Sequence, residues 1–326
     1  MAFLTIFRGV TLLGSLALLV PGPAAAQADT YPNKPVTLVV AYPPGGSTDL
    51  TGRTPAAELS KKLGVPVVIE NICGAAGAIG AQKVTHAAPD GYTLLVGANN
   101  EVAINRLVSA FVTYELKDFT PLGLIASQPL VLVASQRSGV KTVGQFLSLV
   151  KQNPGKFSYG SSGVGSSLHL AGEMIKNQGG LFMTHIPYRG VAPLTNDLLG
   201  GNIDFGIYVL SSALPFIRSG KLAALGATEL KRSAVTQDIP ALAVTPQLKG
   251  IDIGTWYDLM GPANMLAPVV ARLKKDLGEA LQSPELRKKL QDASSTIAPL
   301  EVDLPKFLNT EIAKYKKIVD FAKITE

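Results

Sequence analysis

The chain has 326 residues, 47% hydrophobic and 17% charged, a globular balance that excludes an intrinsically disordered protein. Lys and Arg number 30 against 24 Asp and Glu, a formal charge of +6 with no basic run that would mark a nucleic-acid surface. The length suggests about two domains, and a lone cysteine, Cys73, excludes an internal disulfide and a cysteine-based zinc site.

The N-terminus reads as an export leader. Arg8 is the only charge in the first 28 residues. Gly9 to Val20 is apolar and too short for a comfortable membrane span. Ala24-Ala25-Ala26 and Ala26-Gln27-Ala28 both fit small-x-small cleavage, so residues 1–28 are expected to be a signal peptide cut after Ala26 or Ala28. Its removal leaves 29 − 24 = +5. That charge suits an anionic solute or an acidic docking partner, and equally ordinary solubility.

Next comes a repeated βαβ pattern. Val36 to Ala41 is a β-branched apolar run, as in a buried parallel strand. Tyr42 to Gly46 breaks it, and Ser47 or Thr48 is placed to cap a helix ending at Gly64. Val65 to Glu70 is a second strand. A glycine-rich turn, Gly74 to Gly80, opens another helix, and Tyr92 to Val96 is a third strand. Leu130 to Ala134 starts a second set. Thr142 with Gln145 forms a capping box, and Ser166 caps the helix carrying His169 and Glu173. Short strands are expected at Phe157 to Tyr159, His185 to Pro187, Ile203 to Ile207 and Leu222 to Ala227, with Pro193 in a helix's first turn. After a connector from Lys231 to Pro246, Trp256 to Met260 is strand-like. Helices are expected near 268–281, 284–292 and 305–322, each with proline in its first turn. This last section is too small for its own core and is expected to return to the first half. The chain then crosses twice between halves, near 124–130 and 246–256, which makes a natural hinge.

Three loops join a strand end to a helix start: Pro43 to Asp49, Gly74 to Gly80 and Gly160 to Ser167. Ligands of doubly wound sheets bind at such strand ends. Small residues admit a ligand to the backbone, and free N–H groups of a helix's first turn grip an anion. Cofactor readings fail. Gly74 to Gly80 spaces its glycines as GxxGxxG, not GxGxxG, and no GxxxxGK(S/T) phosphate loop occurs. His86, His169 and His185 form no HExxH or other close metal pairing, so neither a cofactor nor a metal is expected. A hydrolase using Ser162 and His169 is the enzymatic alternative, but Ser162 lies in GSSG and not in a GxSxG elbow. His169 is placed either to donate to a ligand or to brace the fold. Asp204 is either a strand-end turn carboxylate or a partner for an amino group. Cys73 is expected to be a packed thiol, and Trp256 and Tyr257 to pack between halves.

Several segments carry a family resemblance: YPNKPVTLVVAYPPGGSTD from Tyr31, VVIEN from Val67, GAAGAIGA from Gly74 and APDGYTLLVG from Ala88. YGSSGVGSSLHLAGE from Tyr159, THIPYRGVAPLTNDLLGGNID from Thr184, SSALPFIRSGKLAALGAT from Ser211 and TWYDLMGPANMLAPVV from Thr255 continue it. In order and spacing the chain resembles the Bug-type extracytoplasmic receptors, solute-binding components of tripartite tricarboxylate transporters. The resemblance implies an α/β, two-lobe periplasmic-binding-protein (Venus-flytrap) fold with mixed sheets flanked by helices. We place lobe 1 at 29–127 and 249–326 and lobe 2 at 128–248. It further implies a periplasmic monomer that performs no catalysis, binds a small carboxylate between the lobes and pairs with membrane transporter subunits. Dicarboxylates, tricarboxylates, amino acids and aromatic acids all remain open, as does a sensor that presents the ligand to a signalling partner. Carried over by position, Gly45, Gly46, Ser47, Thr48, Asp49, Ala78, Ile79, Gly80, Asn99 and Asn100 should line the cleft from lobe 1. Ser161, Gly165, Ser166, His169 and Asp204 should do so from lobe 2. The chain departs from the family pattern at Pro43-Pro44, Ile72-Cys73, Ala78 and Tyr208-Val209-Leu210; the last hints at a ligand with an apolar or aromatic body.

Overall fold

Parallel strands joined by helices dominate both halves of a computed structural model that describes residues 31–299 and 301–324. The leader expected at residues 1–28 lies outside the described residues. In chain order the first half runs β1 (Val36–Val40), α1 (Ser47–Leu63), β2 (Val67–Asn71), α2 (Ala78–Thr85), β3 (Thr93–Ala98), α3 (Asn105–Val108) and β4 (Phe119–Ser135). There follow α4 (Val143–Gln152), β5 (Ser158–Ser161), α5 (Ser167–Gly179), β6 (Thr184–Pro187), α6 (Val191–Leu199), β7 (Phe205–Val209), α7 (Leu210–Arg218) and β8 (Leu222–Ala227). The chain ends with β9 (Gly254–Pro262), α8 (Ala267–Ala280), α9 (Pro284–Asp292), β10 (Thr296–Ile297) and α10 (Leu304–Ala322).

Two mixed sheets share one strand. In the first, β2, β1 and β3 run parallel, and β9 lies antiparallel between β3 and β4. In the second, β4 runs antiparallel to β7 and β8, and β7, β5 and β6 are parallel. β4 changes sheets within two residues. Pro129 still pairs with Gly254 of β9, while Leu130 already pairs with Val209 of β7. The short strand expected at Leu130 to Ala134 is therefore the second part of a 17-residue strand. Pro121, Gly123 and Pro129 disguise its first part in the sequence. Register shifts at Pro121/Gly123 and Leu124/Ala126 absorb the irregularity, as bulges do for proline in strands. The C-terminal section adds β9 and β10 to the first sheet and packs α8 against α1.

Local chemistry explains most element ends. Gly64 closes α1 in the left-handed conformation, and the Thr142 hydroxyl accepts from the Gln145 N–H to start α4. The Gln145 side chain reaches back to the Lys141 N–H, one residue before the cap. α7, with Pro215 inside it, falls in a segment to which the sequence assigns no element. Burial of Leu210 and Ala213 against Val131, Val133 and Leu222 outweighs that weak propensity. Cys73, expected as a packed thiol, is exposed: it follows the end of β2, an edge strand with little above it. Trp256 and Tyr257 are buried, and the Trp256 indole donates to Glu311 at 2.9 Å.

Two carboxyl groups are buried in the first half. Asp258 on β9 pairs across the sheet with Gly97 of β3 and Leu124 of β4. A Cβ at position 97 would collide with its carboxyl, so glycine there makes its room. Neither Asp258 oxygen has a hydrogen-bond partner, and burial pushes its pKa up to about 8. Glu101, just after β3, is likewise raised to about 8 by burial, with a smaller push from Asp258. An acid that holds its proton more tightly when folded makes stability fall as pH climbs from the unfolded pKa to the folded one. The fall is at most about 1.4 kcal/mol per pH unit for each carboxyl. The melting temperature is therefore expected to drop between pH 6.5 and 8, and Asp258→Asn to remove about half of that drop. An unchanged slope in the variant, measured by calorimetry across that range, would show that Asp258 is ionised in the folded protein.

Candidate functional site

The first wall of the site begins at the β1–α1 loop. Asp49 buckles it: its carboxylate accepts from the Gly45 N–H at 2.9 Å, Arg53 Nε at 2.8 Å and Asn71 Nδ2 at 2.8 Å. Asn71 also donates to the Tyr42 carbonyl at 2.9 Å, tying the end of β2 to the same loop. Burial alone would raise the Asp49 carboxyl, but these bonds together hold it below its ordinary value. α1 starts one residue earlier than the sequence suggests. Gly46 occupies the N-cap, so no side chain caps the helix and Ser47 and Thr48 fall in its first turn.

The end of β3 supplies Asn99 and Asn100. Asn99 Nδ2 donates to the Gly254 carbonyl at 2.9 Å and to the Tyr315 hydroxyl at 2.8 Å, while its Oδ1 is buried and unpartnered. Asn100 opens a π-helical turn, Asn100–Ile104, a rare geometry found often at functional sites. Its Nδ2 donates to the Tyr42 hydroxyl at 2.9 Å, which donates in turn to the Ala76 carbonyl at 3.1 Å. Asn100 Oδ1 accepts from the Ser167 N–H at 2.9 Å, a direct bond from the first half to α5 of the second.

The second wall is framed by the β5–α5 loop. Ser166 caps α5 as expected, accepting from the His169 N–H at 3.2 Å. The Gly165 N–H donates to His169 Nδ1 at 3.1 Å, and His169 stacks on His185 with ring centroids 3.9 Å apart. Ser161 Oγ lies 2.7 Å from His185 Nε2. Burial lowers the two imidazoles to about 4 and about 3, so both are neutral at pH 7. Gly165 has φ +72°, and a Cβ there would lie 2.5 Å from Val108 of α3, so only glycine fits this seam between the halves.

These walls enclose a cavity of about 460 Å³, within the usual range for small-molecule sites. Of the residues singled out from sequence, Gly45, Gly46, Ser47, Thr48, Asn99 and Asn100 line it. The others are not among the lining residues, and Ile79 is exposed. Asp49 buckles the loop; Ala78 is buried, Ile79 packs over Gly74, and Gly80 lets α2 approach Ala41. Ser161, Gly165, Ser166 and His169 build the second loop from within. Asp204 accepts from the Ser158 N–H at 2.9 Å, which joins β7 to β5.

Sequence reasoning missed the α6 and α7 contributions. Arg189, Gly190, Val191 and Pro193 line the cavity at the start of α6, and Val209, Ser212 and Phe216 line it from β7 and α7. The first group carried a readable signal, a strand followed by glycine and a first-turn proline. In the second, Val209 lies in the Tyr208-Val209-Leu210 stretch that hinted at an apolar wall, while Ser212 and Phe216 carried no signal, since α7 itself was hidden. Four helix N-termini thus meet at one cavity: α1, α5, α6 and α7. Three of them, those of α1, α6 and α7, have no side-chain cap, which leaves N–H groups and the positive dipole end for an anion. Arg189 is the single charged side chain in the wall, and no ion pair engages it among the described residues.

Comparison with known proteins agrees with this geometry. The family model described as tripartite tricarboxylate transporter family receptor matches residues 52–324. The chain belongs to that receptor family. It is a family of solute-binding receptors, not of enzymes. An R. palustris protein solved with adipate is 31% identical, with a TM-score of 0.86 over 90% of this chain and 99% of its own. The periplasmic binding protein BugD is 30% identical with a TM-score of 0.83 over 90% and 99%. MatC from Rhodopseudomonas palustris, solved with bound malate, is 30% identical with a TM-score of 0.82 over 89% and 100%. These neighbours are of the two-lobe type expected from the sequence. In this receptor Ser162 does line the cavity, but the serine that contacts a histidine is the buried Ser161.

Because Asp49 holds the loop from three sides, Asp49→Ala is expected to cost about 1–3 kcal/mol and to weaken solute binding with it. A denaturant melt showing no loss would mean that the loop is held without that carboxylate.

Proposed function

We propose that this receptor captures a small carboxylate-bearing solute between two lobes in the periplasm and, acting as a monomer, hands it to the membrane subunits of a tripartite transporter. The observation that carries the reading is the cavity wall: four helix N-termini, one unpaired arginine and no acidic side chain. Such a wall attracts an anion and repels nothing about it. The likeness to neighbours solved with adipate and malate supports a carboxylate over other anions. The lobe limits we propose, 29–127 with 249–326 and 128–248, are supported by the change of pairing partner at Pro129 and Leu130. Export is supported by the leader pattern at the N-terminus and by the periplasmic location of family members.

The mechanism is closure by differential affinity. The carboxylate docks on the α1 amides and gains the second wall's contacts only when the lobes come together. A ligand shifts that equilibrium only by what it gains in the closed form.

A thermal-shift screen of carboxylic acids tests the proposal. A ligand at 100 times its dissociation constant should stabilise the protein by about 2.7 kcal/mol, and neutral sugars of similar size should do nothing; the reverse pattern would end the reading. A charge variant tests the site. Gly46 has extended φ/ψ, and a Cβ there would meet only the Pro43 carbonyl oxygen at 3.6 Å, an ordinary contact, so Gly46→Asp should keep the fold and cap α1 well. It also places a negative charge in the wall, so carboxylate affinity should fall at least tenfold, whereas Gly46→Ser should fall far less. Equal effects of the two variants, by calorimetric titration, would put the anion elsewhere.

A further inference from the structure

We propose that the face around Phe182 and Phe321 is a membrane-contact surface that seats this receptor on a bilayer containing acidic phospholipid. It uses none of the residues that line the cavity, so it stands or falls apart from the solute reading. α5 joins the two places. Leu168 lines the cavity near the start of that helix, while Lys176 and Asn177 line a second, open groove of about 460 Å³ near its end. The rise of the helix carries Leu168 and Asn177 ~14 Å apart. The groove runs between α4, α5 and the end of α10. Val150 and Leu181 are buried beneath it, and Phe182 and Phe321 line it with 67% and 56% of their surfaces exposed. Large apolar side chains exposed together mark contact with something apolar. Neither ring hangs on a loose end. The Gly155 N–H donates to the Phe182 carbonyl at 2.9 Å, and a Cβ at Gly155 would lie 3.0 Å from the ring. Ile318 and Val319 anchor the last turns of α10 in the core, and the Ile324 N–H donates to the Val319 carbonyl at 3.2 Å.

Lysines surround these rings. Lys151 and Lys176 line the groove. Lys156 follows Gly155, Lys317 precedes Phe321 by one helical turn, and Lys323 comes just after it. The acids beside them are already paired: Glu173 with Lys176 at 2.8 Å, and Asp320 with Lys316 at 2.6 Å. No ion pair engages Lys151, Lys156, Lys317 or Lys323 among the described residues. Charge and rings together select the occupant. An acidic bilayer offers a diffuse negative surface over an apolar interior, so the lysines meet headgroups while the phenylalanines enter the acyl boundary. An acidic protein segment is the rival. Protein interfaces favour Arg and are depleted in Lys, whereas Lys supplies both cations in this lining and those beside the rings. A bilayer at this end of α5 leaves the cavity at the other end uncovered.

The test is co-sedimentation of the exported protein with vesicles of phosphatidylcholine alone and of phosphatidylcholine mixed two to one with phosphatidylglycerol. The mixed vesicles should bind it at about 0.1 M salt. Binding should fall at least tenfold at about 1 M salt, where the Debye length shrinks from ~10 Å to ~3 Å, and likewise on phosphatidylcholine alone. Each lysine near an anionic surface is worth roughly fivefold in affinity, so Lys151→Gln with Lys317→Gln should weaken binding more than tenfold. Phe182→Ser with Phe321→Ser should weaken it at least fivefold. All four side chains are exposed, so both pairs of changes should leave the melting temperature as it is. Lys274→Gln with Lys275→Gln removes the same charge from exposed positions on α8 and should stay within about twofold of the wild type. No binding to the mixed vesicles, an equal loss in the α8 variant, or full binding without the two rings would overturn the proposal. So would soluble polyglutamate binding as tightly as the mixed vesicles, which would assign the face to an acidic protein segment.

Discussion

Parallel pairing is the constraint on which the site depends. A parallel strand must be followed by a connection that returns to the sheet's starting edge, so each βα step places a helix N-terminus at the carboxyl edge of its sheet. β1 to α1, β5 to α5, β6 to α6 and β7 to α7 all obey this. The shared strand β4, with β9 bound along its first part, then holds the two sheets so that these edges border one cavity. No individual amide binds an anion strongly; the convergence of several does.

The buried carboxyls show the same electrostatics from the other side. Positive helix ends draw negative charge, yet Glu101 and Asp258 sit near this region with raised pKa values. Burial accounts for this, since each is enclosed and neither Asp258 oxygen makes a hydrogen bond to another residue. Neutral at pH 7, they do not compensate the helix ends or Arg189. The positive potential of the cavity therefore survives within a few residues of two acids. Had Glu101 been ionised, its neighbour Asn100 would line a much less attractive wall for an anion.

Much of this was legible in the sequence. β-branched runs and small-residue turns gave the strands and the loops, and Ser166, Thr142 and Gly64 marked helix ends through capping chemistry that acts over three or four residues. Gly45, Gly46, Ser47 and Thr48 were legible because a glycine turn before a helix has a direct physical reading, whereas Asn99 and Asn100 came from the family resemblance. What failed was longer in range. Ser161, Ser166 and His169 look like ligand donors in a loop, but which side of the loop faces the gap is set by packing of His169 on His185, which comes from another strand. β4 hid behind its prolines because the bulges that accommodate them depend on β9, more than a hundred residues later. Phe216 was invisible because α7 exists only through its buried contacts.

The bond between Asn100 and Ser167 bears on how the lobes close. It uses the first N–H of α5, so that helix offers less to a solute than α1 or α6. In exchange it ties the halves together through a side chain already braced by Tyr42 and Ala76, and the Ser167 hydroxyl meets Thr255 of β9 at 3.3 Å. Moving a two-state equilibrium from 1:99 to 99:1 needs roughly 5.5 kcal/mol of differential binding. Neutral hydrogen bonds contribute about 0.5–1.5 kcal/mol each, so these protein–protein contacts set where the empty receptor's equilibrium starts. In the closure mechanism proposed above, the solute supplies the whole shift from that starting point through its contacts in the closed form. By that proposed mechanism a ligand that bridges the gap closes the receptor and one that engages a single wall does not, because only contacts made in the closed form shift the equilibrium.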